Sequence, residues 1–138
     1  VNTFTLYLQD AMRTERIEEV VSFVARDSSG SFGILAGHER LITVLEFGLA
    51  RFRRVDRPWE YLALPEAVLY ATGDHVMICT RRFLRDDDYE RISRDLDERL
   101  RVEEVELRSV KDSVHRLQEE LLRRLWQLGR RGHGASGV

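Results

Sequence analysis

Phe4, Leu6 and Leu8 alternate with Thr5 and Tyr7 at the start of the chain. A period of two is that of a strand with one buried face. A second run covers 17–25 and is rich in Val20, Val21, Phe23 and Val24. The acidic pair Glu18-Glu19 interrupts its alternation, which predicts a bulge or a strand edge there. Leu41-Ile42-Thr43-Val44-Leu45 is strand-like. In 49–55, Arg51 and Arg53 share one face while Ala50 and Phe52 share the other. Asp56-Arg57-Pro58 signals a turn. Strand-like runs then cover 59–64, 67–71 and 76–79, parted by Pro65 and Gly73-Asp74. Seven or eight short strands with frequent turns predict a β-sandwich or barrel.

The pattern changes near Arg85. Glycine is absent from 74 to 128, and proline does not recur after Pro65. Asp86-Asp87-Asp88 offers N-cap candidates, and Asp87 with Glu90 resembles a capping box. Tyr89, Ile92, Leu96 and Leu100 then fall at helical spacing. Leu107, Val110, Val114, Leu117 and Leu121 continue as a coiled-coil-like seam. The stripe loses phase between Leu100 and Leu107, where a hairpin turn or kink is expected. No Gly or Pro forces a bend there, so one long helix remains open.

Acid-to-arginine pairs four apart support the helix: Glu90–Arg94, Asp95–Arg99, Asp97–Arg101, Glu104–Arg108, Asp112–Arg116, Glu119–Arg123 and Glu120–Arg124. Each stabilises an exposed helix by about 0.2–0.5 kcal/mol. A narrow apolar stripe between two charged faces needs a covering surface, either a second helix or another chain. Trp126 is expected to pack. Gly129 is the expected C-cap, followed by a frayed tail.

A length of 138 residues suits one domain and an appendage. The net charge of -2 argues against a nucleic-acid partner, which would need a basic surface. Lys111 is the only lysine among 22 basic residues. Cys79 stands alone, so no intrachain disulfide can form. No apolar run reaches the roughly 20 residues of a membrane span. The first residues show no basic stretch before an apolar one, so no signal peptide is expected. Membrane attachment would then run through another protein.

Candidate chemistry is sparse. There is no phosphate-binding glycine loop, no C-x-x-C and no H-E-x-x-H. His38, His75, His115 and His133 lack ligand spacing, and no metal is expected. His75, His115 and His133 are read as turn, helix-surface and tail residues. His38 closes the segment 30–38, with Gly30, Gly33 and Gly37 around Ile34. This segment is read as a shaped loop that meets a partner. His38 either hydrogen-bonds its own loop or contacts that partner. Arg81, Arg82 and Arg85 are either a solvated strand end or an anion or carboxylate site that braces the helices.

The order of strands, glycine segment and charged helical tail resembles the epsilon subunit of F-type ATP synthases. That family's segment reads G-x-x-G-I-x-P-G-H-x-x-L-[LI]-T. Gly30, Gly33, Ile34, Gly37, His38, Leu41, Ile42 and Thr43 match it in register. Tyr61-Leu62-Ala63-Leu64 resembles a later Y-L-A-[VL] strand. The resemblance covers essentially residues 3–128. Ala36 stands where the family has proline, and Pro65-Glu66-Ala67 replaces a small-Gly-Gly step. Asp88 and Arg91 keep the spacing of an [IL]-D-x-x-R-A nucleotide segment, but Asp87 and Ile92 replace its flanks. These departures suggest a divergent branch, that of alternate ATPases carried beside a standard enzyme.

The resemblance implies a β + α fold: a sandwich of about eight to ten strands, then a helical hairpin or one long helix. It implies a sandwich over 1–85, a helical regulatory domain over 86–128 and a flexible tail over 129–138. It implies a non-catalytic rotor component between the gamma subunit and the membrane c-ring, monomeric within a hetero-oligomer. Such a subunit is peripheral to the cytoplasmic face of the inner membrane, in a proton- or sodium-translocating complex. Gly30, Ser31 and Phe32 would lie toward the ring, and His38 and Thr43 toward gamma. Asp88 and Arg91 would be the remnant of an ATP site, with no cofactor expected. A different class of function is a small sandwich adaptor that oligomerises through a coiled coil over 105–128. An enzyme is the weakest reading, because no nucleophile–base arrangement is visible.

Overall fold

The computed structural model describes residues 2–136, and the side chains of residues 2–130. Nine strands precede the helices: β1 (Phe4–Gln9), β2 (Thr14–Asp27), β3 (Gly30–Leu35), β4 (Leu41–Leu45), β5 (Gly48–Arg54), β6 (Glu60–Leu64), β7 (Ala67–Thr72), β8 (His75–Thr80) and β9 (Leu84–Asp86). They pair in the order β1-β8-β7-β4-β2-β5-β6-β9, with β3 also on β2 and β1 closing on β2. Two layers result. One is β3-β2-β5-β6-β9, and the other is β1-β8-β7-β4. Both meet at β2.

This sharing is why β2 is long. Its first part pairs with β1, from Gln9 opposite Thr14 to Phe4 opposite Val20. Its second part pairs with β3 on one side and β5 on the other. The expected bulge lies at the changeover. Register slips between Val20 and Ser22, and Glu19 takes a left-handed φ of 61°. Glu19 still gives its carbonyl to the Val55 N–H at 3.0 Å. A bulge adds twist, which lets one strand serve both layers.

The core collects the inward sides of both layers. Leu6, Leu8, Val20, Phe23, Phe52, Leu62, Leu69, Val76 and Ile78 have no exposed surface. Phe32 and Ala36 are partly buried against this cluster. The segment 30–38 is therefore not a loop throughout. Its first six residues are β3, because Phe32 and Ile34 alternate inward and Gly33 pairs with Val24 without a bulge. Glycine is required elsewhere: Gly30 closes the hairpin at φ 117° and Gly37 turns toward β4 at φ 77°.

Helix α1 (Tyr89–Asp95) runs into a π turn at Leu96–Leu100, and α2 (Arg101–Ser136) follows directly. Of the two arrangements expected, the chain takes the long helix and not the hairpin. The π turn adds a residue to its turn, and this accounts for a phase slip without a break. Ile92, Leu96 and Leu100 are buried with Ala63, flanked by Phe47, Leu49, Tyr61 and Leu84. Hence the first compact unit extends through Val102.

The second unit is the helix from Glu103 onward. Its seam residues Val110, Val114, Leu117 and Leu121 are exposed, as are Leu125 and Trp126. Trp126 does not pack as expected, and Arg130 lies over its ring at 4.8 Å. Asp97–Arg101 and Glu120–Arg124 form at 3.0 and 2.9 Å, while Glu119 takes His115 instead. Gly129 does not end the helix, which continues to Ser136. A helical glycine costs about 1 kcal/mol, too little to stop a helix alone. The expectations for His133 and the end of the tail fall outside the described side chains.

Replacing Phe52 by Ala should lower unfolding free energy by about 3–5 kcal/mol in urea titration. Replacing Val68 by Ala should change it by under about 0.5 kcal/mol. Val68 is also apolar but lies on the outer face of β7, 48% exposed.

Candidate functional site

The residues picked from the sequence do not gather at one point. Ser31 lies at the start of β3 and His38 lies beyond its end. Ser31 is exposed and lines a cleft of about 470 Å³ with Arg26, Glu46, Phe47, Tyr61 and Tyr89. Phe32 turns the other way, into the sandwich.

His38 hydrogen-bonds its own segment: Nδ1 lies 2.9 Å from the Leu35 carbonyl. Nδ1 therefore carries the proton, and Nε2 is buried without a partner among the described residues. The ring stands edge-on to Phe4, with centroids 5.5 Å apart. Thr43 is likewise engaged. Its hydroxyl donates to Asp27 at 2.7 Å, and Ser29 N–H donates to the same carboxylate at 2.9 Å. Hydrogen bonds from the Ser29 and Thr43 hydroxyls and the Ser29 amide hold Asp27 below the usual carboxylate range. Asp27 thus ties β4 to the turn between β2 and β3.

Sequence reading missed the neighbours of Thr43. Ile42 and Val44 alternate with it and point outward, 70% and 55% exposed. Ile42 is opposite Tyr70, Tyr70 opposite Met77, and Met77 opposite Tyr7. Val44 is opposite Val68, which is opposite Cys79. Two apolar rows therefore cross β4, β7 and β8 on their outer face. The signal was present in 41–45. A continuous apolar run, unlike an alternating one, is that of a strand covered on both faces.

At the seam, Arg85 bridges Glu60 at 2.7 Å and Glu15 at 3.4 Å, and Arg54 holds Glu60 at 2.9 Å. Arg85 does hold carboxylates, but they lie on β6 and β2, so it ties β9 to other strands and does not brace the helices directly. Burial raises the Glu60 pKa, but hydrogen bonds from Arg85 and Arg54 outweigh it and keep it low. Asp88, not Asp87, caps α1, accepting the Arg91 N–H at 3.1 Å. No capping box forms, since the third residue after Asp88 is Arg91. The Arg91 guanidinium clasps Asp86, with Nη2 to Oδ1 at 2.6 Å. Both groups of the supposed nucleotide remnant are thus occupied in starting the helix. Among the described residues, no cluster of three or more His, Cys, Asp or Glu could hold a metal.

The sequence pattern described as "ATP synthase, Delta/Epsilon chain, beta-sandwich domain" matches residues 3–86. The chain belongs to the ATP synthase delta/epsilon family. This epsilon-type chain is 35% identical over 124 residues to "ATP synthase epsilon chain 2" of Cereibacter sphaeroides, covering 88% of itself and 85% of that relative. It is 38% identical over 58 residues to the protein of the same name in Paraburkholderia xenovorans, 42% of each chain. A chain in the Euglena gracilis mitochondrial ATP synthase OSCP/F1/c-ring structure shares the fold at TM-score 0.58 and 19% identity. That match covers 71% of this chain and 64% of the other, just under two thirds of its length. A chain of the Tetrahymena thermophila central stalk/c-ring structure matches at TM-score 0.51 and 10% identity, covering 61% and 69%. Family membership decides for the epsilon subunit over the adaptor. No described helix of this epsilon-family chain is long and apolar enough to cross a membrane.

The Arg91 clasp should be sensitive to acid. The Asp86 carboxyl is held far below its ordinary value, chiefly by the Arg91 hydrogen bonds. A depressed carboxylate stabilises the fold above its ordinary pKa and loses that effect as pH falls. Asp86→Asn should therefore destabilise the chain at neutral pH. The difference from the native chain should shrink as pH drops below 3.8, the ordinary Asp value. Urea unfolding of both proteins across this range checks it, and a gap independent of pH would exclude the clasp.

Proposed function

We propose that this chain is a non-catalytic rotor component that couples gamma to the membrane c-ring from the central stalk. The observation that carries the proposal is the outer face of β4, β7 and β8, where Ile42, Val44, Val68, Tyr70 and Met77 form exposed apolar rows. Contiguous apolar surface of this kind marks an interface. A stiff sandwich that buries such a face can transmit torque without bending. Gamma is the partner for this face, with His38 and Thr43 bordering it. Gly30 and Ser31, with Phe32 packed beneath them, lie at the hairpin that meets the ring. The subunit is peripheral, on the cytoplasmic face. The shared name "epsilon chain 2" of both curated relatives supports an alternate enzyme beside a standard one.

The proposed division of labour gives coupling to 1–85 and regulation to the helix from 86 onward. The exposed seam of α2 supports a helix with somewhere else to pack, and a change of packing is how such a segment would regulate hydrolysis. The reading includes no nucleotide on this subunit. The commitment of Asp88 to the helix cap and of Arg91 to Asp86 supports that.

Val68→Glu should weaken assembly into the stalk complex at least tenfold, a loss of about 1.4 kcal/mol. The melting temperature of the isolated chain should hardly move. Reconstitution with titrated subunit checks this, and unchanged assembly would exclude the face. Truncation after Val102 keeps Ile92, Leu96 and Leu100 on the sandwich. It should leave assembly intact and change the rate of ATP hydrolysis, so equal rates would remove the regulatory role.

A further inference from the structure

Strand β3 is the edge of its layer. Among the described residues it pairs with β2 alone. Its register shows which backbone groups are left over. Asp27 is opposite Gly30 across the two-residue turn Ser28-Ser29, so that pair exchanges both hydrogen bonds. Counting alternately, Phe32 and Ile34 also bond to β2. Ser31, Gly33 and Leu35 turn their N–H and C=O groups away from it. The Leu35 carbonyl is taken up within the chain, since it accepts His38 Nδ1. The N–H and C=O of Ser31 and Gly33 and the N–H of Leu35 remain, on residues that are all exposed.

An open edge is usually blunted by charge, proline or a bulge. Gly30-Ser31-Phe32-Gly33-Ile34-Leu35 has none of these. Leu35 is 64% exposed beside it. The other end of the layer is treated differently: β9 is three residues long and carries Arg85 and Asp86.

We infer that β3 is a strand-addition site, which takes an extended segment of another subunit of the complex onto Ser31, Gly33 and Leu35. The side chains of the edge define the occupant. Gly33 leaves a gap on the outer face, and an aromatic or β-branched residue opposite it fills that gap. Phe32 is only partly buried, so an apolar residue on the inner face of the incoming strand completes its cover. The segment is thus an uncharged strand with a bulky residue at its centre. A second copy of β3 does not fit. Antiparallel self-pairing about the centre sets Gly33 against Gly33, which leaves the gap unfilled. Main-chain pairing supplies affinity and pocket filling supplies specificity.

The inference rests on the assembly reading for the donor alone, and the experiment separates the two. Hydrogen exchange is carried out on the isolated chain and within the assembled complex, then read residue by residue after dissociation. The Ser31, Gly33 and Leu35 amides should slow at least tenfold on assembly, while those of Phe32 and Ile34, already bonded to β2, change less. Gly33→Pro removes an outward N–H without touching a bond to β2. It should weaken assembly at least tenfold where Arg57→Ala, an exposed residue in the turn between β5 and β6, does not. Should this variant fail to fold, the exchange measurement on the native chain still decides. Assembly with no slowing of the three amides overturns strand addition and leaves the stalk reading standing. Slowing in the isolated chain, with self-association, overturns the hetero-partner. Failure to enter the complex overturns both.

Discussion

β2 hydrogen-bonds to β1, β3, β4 and β5. A strand has two edges, so four partners require it to change neighbours along its length. The bulge at Glu19 makes that change possible, at the cost of a left-handed backbone on a residue with a Cβ. The surroundings hold it there: Val20 is fully buried on one side, and Val55 bonds to the Glu19 carbonyl. Once β2 is bent, both layers have a common origin and their inward faces meet in one core.

The helices depend on this in turn. Their first turns are anchored by β9, which adds to β6, which adds to β5, which adds to β2. Arg85 secures the last link through Glu60 and Glu15, and Asp86 and Asp88 then set the axis of α1. Charged groups hold the start of α1, and apolar packing takes over one turn later. Ile92, Leu96 and Leu100 supply what apolar contact there is. The π turn among them keeps Leu96 and Leu100 on the sandwich and releases α2 with a different phase.

Backbone and side-chain satisfaction is uneven across the sandwich. Its inner faces are closely packed apart from half-buried Phe32, while the outer rows of β4, β7 and β8 and the free edge of β3 are open. The free edge and the start of the outer rows belong to the segment 30–45, and the rows continue from β4 onto β7 and β8. An isolated domain gains nothing from exposed Ile42 or from an unblunted edge, so these features make sense for a chain that works inside an assembly. The same stretch holds the motif that carries the family resemblance.

Alternation alone located most strands, because burial of one face imposes a period of two. It also located the break near Arg85, because a glycine-free run with acid–arginine pairs can hardly be anything but helix. The motif of 30–43 was enough to reach the family. Period and motif are local, so a sequence carries them whole. Three matters were not local. The glycine segment looked like a loop because glycine is poor in strands, and only pairing with β2 makes 30–35 a strand. Asp88 outranked Asp87 as cap because Asp86 and Arg91 fix where the helix begins. The outward direction of Ile42 and Val44, and of the Ser31 and Gly33 backbone, follows from register. Register is set by the turn and the core together, so only the folded chain could decide it.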